Sequence, residues 1–558
     1  MTTGTLTTSV WYSQGQSYVW PEQQAGVKPG VGVCFSGGGT RALSAAMGQL
    51  RALISLGLMN DIDYISSVSG GSWAATAFTY YNAGAANDAE LLGAITEPSG
   101  ITIDKLKVLP TTSLGWGATL NLGDELDDAH REGAPDDLLW AATIGHVFFS
   151  RFGLYDPKDP AYFSLDEATV AKIRAANPSL AGATFHTVRQ PSGYRMPYLL
   201  INATIDGPTA HAPYNPDQLL MITYSPLYSG VPFQQTMSYP VAKTGGLKPP
   251  PVKAVVGGGF IESFAWGCSA PTAPAVDGAV TVAAPEHVFT VAAASATSSS
   301  AYAALLEKIK LLDGLLPEQN YWPPSLAEPQ VPAQLFDFGD GGNLENYGVI
   351  PLLMRGVKKV VVFMNTEQPM NPDYDPTQKT YESDIDSSLV SLFGVPVYSR
   401  TLFSTSLVPD FNQVFPSADY AGVVNALQAL RKAGQPMVYQ TSHVLQENRY
   451  WGLPGGATVD VLYVYLDKVE AWQSQITDEV VRAELALGDL GMFPHFPNYH
   501  TIDENLIPTI GEHLPSPWGL TELTAQQVNL LADLTCWVVR NSGGAFQSFI
   551  STSPGGNT

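Results

Sequence analysis

Ser36-Gly37-Gly38-Gly39-Thr40-Arg41-Ala42 is the stretch on which the reading of this chain turns. It follows Val31-Gly32-Val33-Cys34-Phe35, a short apolar run with the character of a buried strand. From Arg41 onward Leu43, Met47, Leu50 and Ile54 recur at helical spacing. The glycines therefore fall on a strand-to-helix turn, where bare backbone N–H groups can be aimed at an anion. Further on, Ser67-Val68-Ser69-Gly70-Gly71-Ser72-Trp73 repeats the arrangement: Tyr64 to Val68 is strand-like, and Trp73 to Phe78 opens a helix. Ser69 thus sits on a glycine-flanked turn, as in a nucleophile elbow, where small neighbours permit a sharp bend that exposes a hydroxyl. Ser67 stands where the usual G-x-S-x-G pattern has its first glycine. The pair of stretches predicts an oxyanion hole and a nucleophile.

Two phosphate-binding readings compete. A Walker loop needs Gly-Lys-Ser/Thr after the glycines, and Thr40-Arg41-Ala42 stands there instead. The dinucleotide fingerprint is nearer, since Gly37, Gly39 and Ala42 fit G-x-G-x-x-A and Asp61 lies roughly 20 positions on. Asp61 and Asp63, however, precede the next strand, whereas a ribose-binding carboxylate belongs at its end. Either stretch alone reads as an ordinary loop. The two in this order, each on its own strand-to-helix turn, point to a hydrolase.

A serine hydroxyl is a weak nucleophile and needs a base within hydrogen-bond reach. Of the 9 histidines, none lies in a glycine-bounded turn after a strong strand. His495 and His500, within Phe493-Pro-His-Phe-Pro-Asn-Tyr-His500, read as loop structure. The segment Leu335-Phe-Asp337-Phe-Gly-Asp340-Gly341-Gly342-Asn-Leu-Glu345-Asn346-Tyr347 stands out instead. An aspartate followed by two glycines can turn its carboxylate into a crevice, and Val360 to Met364 beyond it is a buried-strand run. Alone, Asp-Gly is a common surface turn.

Together with Asn346 and Ile350-Pro351-Leu352, these three stretches resemble the signatures of the catalytic domain shared by cytosolic phospholipase A2 and fungal lysophospholipase (phospholipase B), a relative of the plant patatins. Thr297-Ser298-Ser299-Ser300-Ala301-Tyr302 resembles a serine-rich helix start in the fungal members. Gly257-Gly258-Gly259-Phe260 before Trp266-Gly267 resembles the segment leading to it. The resemblance covers about residues 28–365 and extends more loosely through Phe493 to Tyr499. It implies a Ser–Asp dyad without histidine, with Ser69 as nucleophile and Asp340 as base. Asp337 is the other candidate base; the Gly-Gly and the distance to Asn346 favour Asp340. The resemblance also implies oxyanion-hole N–H groups from Gly38 and Gly39, with Gly37 shaping the turn and the Gly70 N–H adjacent. Arg41 matches an arginine that holds the lipid phosphate, a role suited to a guanidinium's paired donors.

Composition frames this reading. At 558 residues and 45% hydrophobic content the chain can bury a large core, as three domains or one enlarged α/β domain. The proline-dense stretch Pro317 to Pro332 falls between nucleophile and base, so it is expected to be an internal loop and not a domain boundary. The whole chain, 1–558, is then a single enlarged catalytic domain, with about residues 85–190 as an inserted cap. The expected fold class is a three-layer α/β/α sandwich with a central, mostly parallel sheet and cap or lid elements. A formal net charge of −23 argues against a nucleic-acid partner and against electrostatic docking to anionic membranes. No apolar run approaches the roughly 18 residues of a spanning helix, and no signal peptide is visible. Cys34, Cys268 and Cys536 suit buried thiols, and no cluster has metal-ligand spacing. The expectation is therefore a cofactor-free and metal-free serine esterase that hydrolyses a glycerophospholipid or lysophospholipid. It would meet its substrate by peripheral contact with a membrane or micelle, in the cytoplasm or after export without a recognisable signal. The alternatives are a neutral-lipid esterase or acyltransferase of the same fold, and a catalytically silent lipid-binding module.

Overall fold

Short runs rich in Val, Ile, Tyr and Phe, each closed by a turn, supply the strands of this protein. The computed structural model describes residues 4–551 apart from 14–19, 82–87, 210–217, 242–248, 274, 276–277, 302, 304–314, 325–330, 399–409 and 501–521. Within these, 13 strands form one sheet. They are β1 (Thr5–Tyr12), β2 (Val31–Phe35), β3 (Tyr64–Val68), β4 (Tyr198–Pro208), β5 (Leu220–Tyr224), β6 (Tyr228–Val231), β7 (Gly259–Glu262), β8 (Ala279–Ala283), β9 (Glu318–Tyr321), β10 (Gln334–Asp340), β11 (Lys359–Met364), β12 (Val438–Val444) and β13 (Thr458–Tyr465). The order across the sheet is β8-β1-β7-β6-β5-β4-β3-β2-β11-β13-β12, with β10 on β4 and β9 on β10. The central run β4-β3-β2-β11-β13 is parallel. The ladders outside it are antiparallel. The sheet is thus mixed, parallel where strand–helix–strand crossovers build it and antiparallel where hairpins do.

The central strands are buried on both faces, and their side chains alternate between two apolar clusters. Val33, Phe35, Ile65, Val361 and Phe363 enter one; Cys34, Tyr64, Val360, Val362 and Met364 enter the other. The helices α1 (Gly39–Ser55), α2 (Gly70–Tyr80) and α3 (Val291–Ser298) cover the first face. On the second lie α4 (Val349–Met354) and α5 (Ser417–Lys432). This is the expected three-layer α/β/α arrangement. The three cysteines are buried free thiols.

The C-terminal third, whose contribution the sequence leaves open, adds β12, β13 and α6 (Ala525–Asn541). The α6 helix packs on α1 through a buried Arg51–Asp533 ion pair at 2.5 Å and a bond from Thr535 Oγ1 to the Ala45 carbonyl at 2.9 Å. In the proline-dense stretch the structure differs from the expected loop. Glu318–Tyr321 is the edge strand β9, because its prolines flank those four residues and leave their N–H groups free to pair. Residues 325–330 of that stretch lie outside the described residues, as do 85–87 of the expected cap and Tyr302 of the serine-rich run.

One strand decides where the chemistry sits. β4 is 11 residues long, and β5 occupies one of its edges. The other edge is shared: Tyr198 to Asn202 pair in parallel with β3, and Ala203 to Pro208 pair antiparallel with β10. β3 and β10 therefore meet end to end, Val68 opposite Asn202 and Asp340 opposite Ala203. The residue after Val68 and the last residue of β10 are brought together by adjacent positions of a single strand.

Candidate active site

Ser69 follows β3 and begins α2 with φ 51° and ψ −126°. His495 is the other non-glycine residue at positive φ among the described residues. Such a backbone costs of order 1–3 kcal/mol and persists only where its surroundings over-determine it. Here the Ser69 N–H donates to Ser298 Oγ at 3.0 Å, and Ser298 Oγ donates to the Asn202 carbonyl at 2.6 Å. The Ser69 carbonyl accepts from the Ser72 N–H at 2.8 Å. Trp73, further into α2, stacks on Phe148 with ring centres 4.1 Å apart and donates its indole N–H to Ser299 Oγ at 2.8 Å. Gly70 must be glycine, since a β-carbon there would fall 2.0 Å from the Gly39 carbonyl oxygen. Ser67, the departure from G-x-S-x-G, is buried and donates its hydroxyl to the Leu200 carbonyl at 3.1 Å.

The Ser69 hydroxyl donates to Asp340 Oδ2 at 2.9 Å. The same oxygen accepts from the Ala301 N–H at 3.3 Å, and Oδ1 accepts from the Gly342 N–H at 2.7 Å. Burial pushes the Asp340 carboxyl up to about 6, and these hydrogen bonds oppose the rise. Among the described residues no histidine bonds to either member of the pair. Asp337, the other candidate base, pairs opposite Gly207, about 10 Å of strand upstream. A second buried acid, Asp206, lies against Gly339 and accepts from Thr204 Oγ1 at 2.6 Å. Burial raises it to about 7, with smaller contributions from Asp337 and Asp340.

The glycine loop lies against this elbow. The Gly37 N–H donates to the Asn346 carbonyl at 2.9 Å and so pins the loop to the segment after Asp340. Among the described residues, the N–H groups of Gly38, Gly39 and Gly70 donate to no protein acceptor. Gly38, Gly39, Ser69 and Gly342 are partly exposed, whereas Ser36, Thr40, Val68 and Gly341 beside them are buried. The glycine loop, the serine turn and the aspartate turn are thus each partly exposed, while Gly70 is buried. Arg41 is only 3% exposed. Its Nε donates to the Asn365 carbonyl at 2.9 Å, and its Nη1 donates to the Tyr499 carbonyl at 2.5 Å and to Glu367 at 3.2 Å. Burial lowers its pKa from the ordinary value, while Glu367 and Asp386 oppose that.

Several participants escape a reading of the motifs. Ser298 lies in the serine-rich run, but its bond to the Ser69 N–H is a tertiary contact. Asn202 sits in an apolar strand and donates to Ser66 Oγ at 2.9 Å and to the Ser67 carbonyl at 3.1 Å. Glu345 accepts from the N–H groups of Tyr347 at 2.7 Å and Ile350 at 3.2 Å, and burial raises it to about 7. An acid placed near the start of a helix, where negative charge is favoured, is a signal the sequence does carry.

Over 147 residues, 26% of this chain, the sequence is 32% identical to human cytosolic phospholipase A2 zeta. Over that stretch the chain is similar to a cytosolic phospholipase A2. The mouse cytosolic phospholipase A2 zeta is 51% identical over 45 residues, 8% of this chain. These matches span 16% and 5% of those relatives' lengths, so the chain matches only a small part of each. No protein-family model matches. Among solved structures, human GIVD cytosolic phospholipase A2 aligns with a TM-score of 0.41 and 13% identity over 94% of this chain and 62% of that one. The same enzyme bound to methyl gamma-linolenyl fluorophosphonate aligns with a TM-score of 0.37 and 15% identity, over 94% of this chain and 59% of that one.

Proposed function

We propose that this chain hydrolyses the carboxylic ester of a glycerophospholipid or lysophospholipid through an acyl-serine intermediate. One observation carries the reading: a strained, partly exposed serine donates its hydroxyl to a buried aspartate whose basicity burial has raised. In this reading Ser69 Oγ attacks the ester carbonyl as its proton passes to Asp340. The carbonyl oxygen, now an anion, takes the N–H groups of Gly38 and Gly39, donors otherwise unused. Collapse expels the alcohol, which leaves with the proton from Asp340. Asp340 then takes a proton from water as that water attacks the acyl-Ser69 carbonyl; collapse of this adduct breaks the Ser69 Oγ–acyl bond, Ser69 Oγ takes the proton back from Asp340, and the free fatty acid departs. Preorganised oxyanion donors of this kind are typically worth about 3 kcal/mol each.

The lipid substrate rests on the similarity to a cytosolic phospholipase A2. Among the described residues no helix is long and apolar enough to cross a membrane, and the reading needs only peripheral contact with a lipid surface. It treats the chain as one catalytic domain, with about residues 85–190 as a cap; Phe148 of that region stacks directly on Trp73 of the elbow helix. A neutral-lipid esterase or acyltransferase is the second reading, favoured by the engagement of Arg41 with protein acceptors. The test is fatty-acid release from phosphatidylcholine, lysophosphatidylcholine and a monoacylglycerol, comparing wild type with Ser69→Ala. Release from the phospholipids that disappears in the variant is expected. Release from the monoacylglycerol alone would move the chain to the second reading, and wild-type turnover in Ser69→Ala would end both.

A further inference from the structure

A guanidinium has five N–H donors and recognises phosphate by presenting two of them side by side, through Nε with Nη2 or through Nη1 with Nη2. Arg41 has neither edge to offer. Its Nε–H is committed to the Asn365 carbonyl, and Nη1 donates to both the Tyr499 carbonyl and Glu367. Nη2 is packed beneath Gly38, where a β-carbon would fall 2.4 Å from it. A phosphate could gain a fork only by displacing Glu367 from Nη1 or by displacing a buried backbone carbonyl and leaving it unsatisfied.

The same contacts suit a different task. Gly38 has φ 127°, and its conformation is backed directly by the guanidinium. Asn365, which receives the Nε–H, is itself held: its N–H donates to Ser36 Oγ at 2.8 Å, and its side chain accepts from Gln49 Nε2 at 2.7 Å. Arg41 therefore ties the glycine loop to the end of β11 and to the backbone at Tyr499. It also sets a buried positive charge behind N–H groups that would face an oxyanion. Fixed donors backed by fixed charge are what an oxyanion site requires. We infer that Arg41 is a positioning residue of the oxyanion loop and not a ligand of the substrate's phosphate, so any preference for phospholipid over phosphate-free ester arises elsewhere. This rests on the ester-hydrolase reading above.

The experiment measures kcat and KM for Arg41→Ala and Arg41→Lys on lysophosphatidylcholine and on a monoacylglycerol of the same acyl chain. The expected result is a fall in kcat of about 10²-fold in Arg41→Ala on both substrates. The ratio of their kcat/KM values stays unchanged, and Arg41→Lys shows a smaller loss, again shared. A loss confined to lysophosphatidylcholine and carried by KM would overturn the inference. If wild type accepts only one substrate, a fall in kcat on the monoacylglycerol supports the inference; an unaffected monoacylglycerol kcat, or a lysophosphatidylcholine loss seen only in KM, overturns it. Should Arg41→Ala not fold, Glu367→Gln removes a half-exposed carboxylate that would compete with a phosphate. A phosphate ligand would then gain affinity, lowering KM for lysophosphatidylcholine alone, whereas a positioning residue would leave the two substrates changed alike. Failure of the ester-hydrolase reading looks different: wild-type protein releases no fatty acid from either substrate, and a fluorophosphonate does not label Ser69.

Discussion

At Ser69 the backbone holds a side chain at φ 51°, which costs about 1–3 kcal/mol, and the carboxylate it bonds is buried. Ser69→Gly should therefore be more stable than Ser69→Ala by about 1 kcal/mol, both being inactive; thermal melts and an esterase assay check this, and equal stability would mean the elbow is unstrained. Asp340→Asn should lose at least about 10³-fold in kcat while keeping the fold. The pH dependence follows from the same carboxyl. As a base Asp340 must be ionised, so kcat/KM should rise with pH through about 6 and level off above it. For stability the sign is opposite. A pKa raised on folding means the native state holds its proton more tightly, so stability present at acid pH is lost as pH rises through the folded value of about 6. Asp340→Asn should accordingly be more stable than wild type at pH 8 by up to roughly 3 kcal/mol, a difference that vanishes near pH 4.

Elements bring these residues together. Ser69 and Asp340 meet because β3 and β10 share one edge of β4 and end at neighbouring positions, Asn202 and Ala203. The glycine loop reaches them because Gly70 permits backbone-to-backbone approach. Gly70→Ala forces a methyl into the Gly39 carbonyl, and the expected outcome is lost activity with a stability loss of 2 kcal/mol or more by the usual order of overpacking against backbone, about 1–3 kcal/mol. A Gly70→Ala protein with wild-type turnover would show that the loop can retreat at no cost to the site. Trp73→Ala removes a buried aromatic and should cost about 3–5 kcal/mol. Trp73→Phe keeps an aromatic ring against Phe148 but loses the bond to Ser299 and part of the buried ring volume, costing about 1–3 kcal/mol; chemical denaturation of the two variants compares the contributions.

Over the whole molecule, burial is the common cause of several raised acids. Asp206 and Glu345 are pushed to about 7, and Asp340 and Asp533 to about 6. Each binds its proton more tightly in the folded state, so each favours the fold more at pH 5.5 than at pH 8. The net charge of −23 acts in the same direction, because partial protonation relieves self-repulsion. The thermal midpoint should therefore rise as pH falls from 8 to about 5.5, measured by calorimetry at constant ionic strength. A midpoint that falls over that range would mean these carboxyls are solvated.

The sequence by itself determined the local pieces. The apolar runs ending at Phe35 and Val68, the glycines that follow them, and Asp340 before Gly341-Gly342 specify strand-to-turn geometry within a few residues of chain, where steric freedom and periodicity act directly. That was enough to single out Ser69, Asp340 and Gly37 to Gly39, and to expect a sheet covered on both faces. Only the tertiary structure decided which aspartate meets the serine, because that depends on the register of β10 along β4 and not on any local preference. It alone brought Ser298 and Asn202 to the elbow, and it alone buried Arg41 against Asn365 and Tyr499. Those contacts join segments far apart in the chain, and no local pattern encodes a long-range register or the side-chain partners it creates.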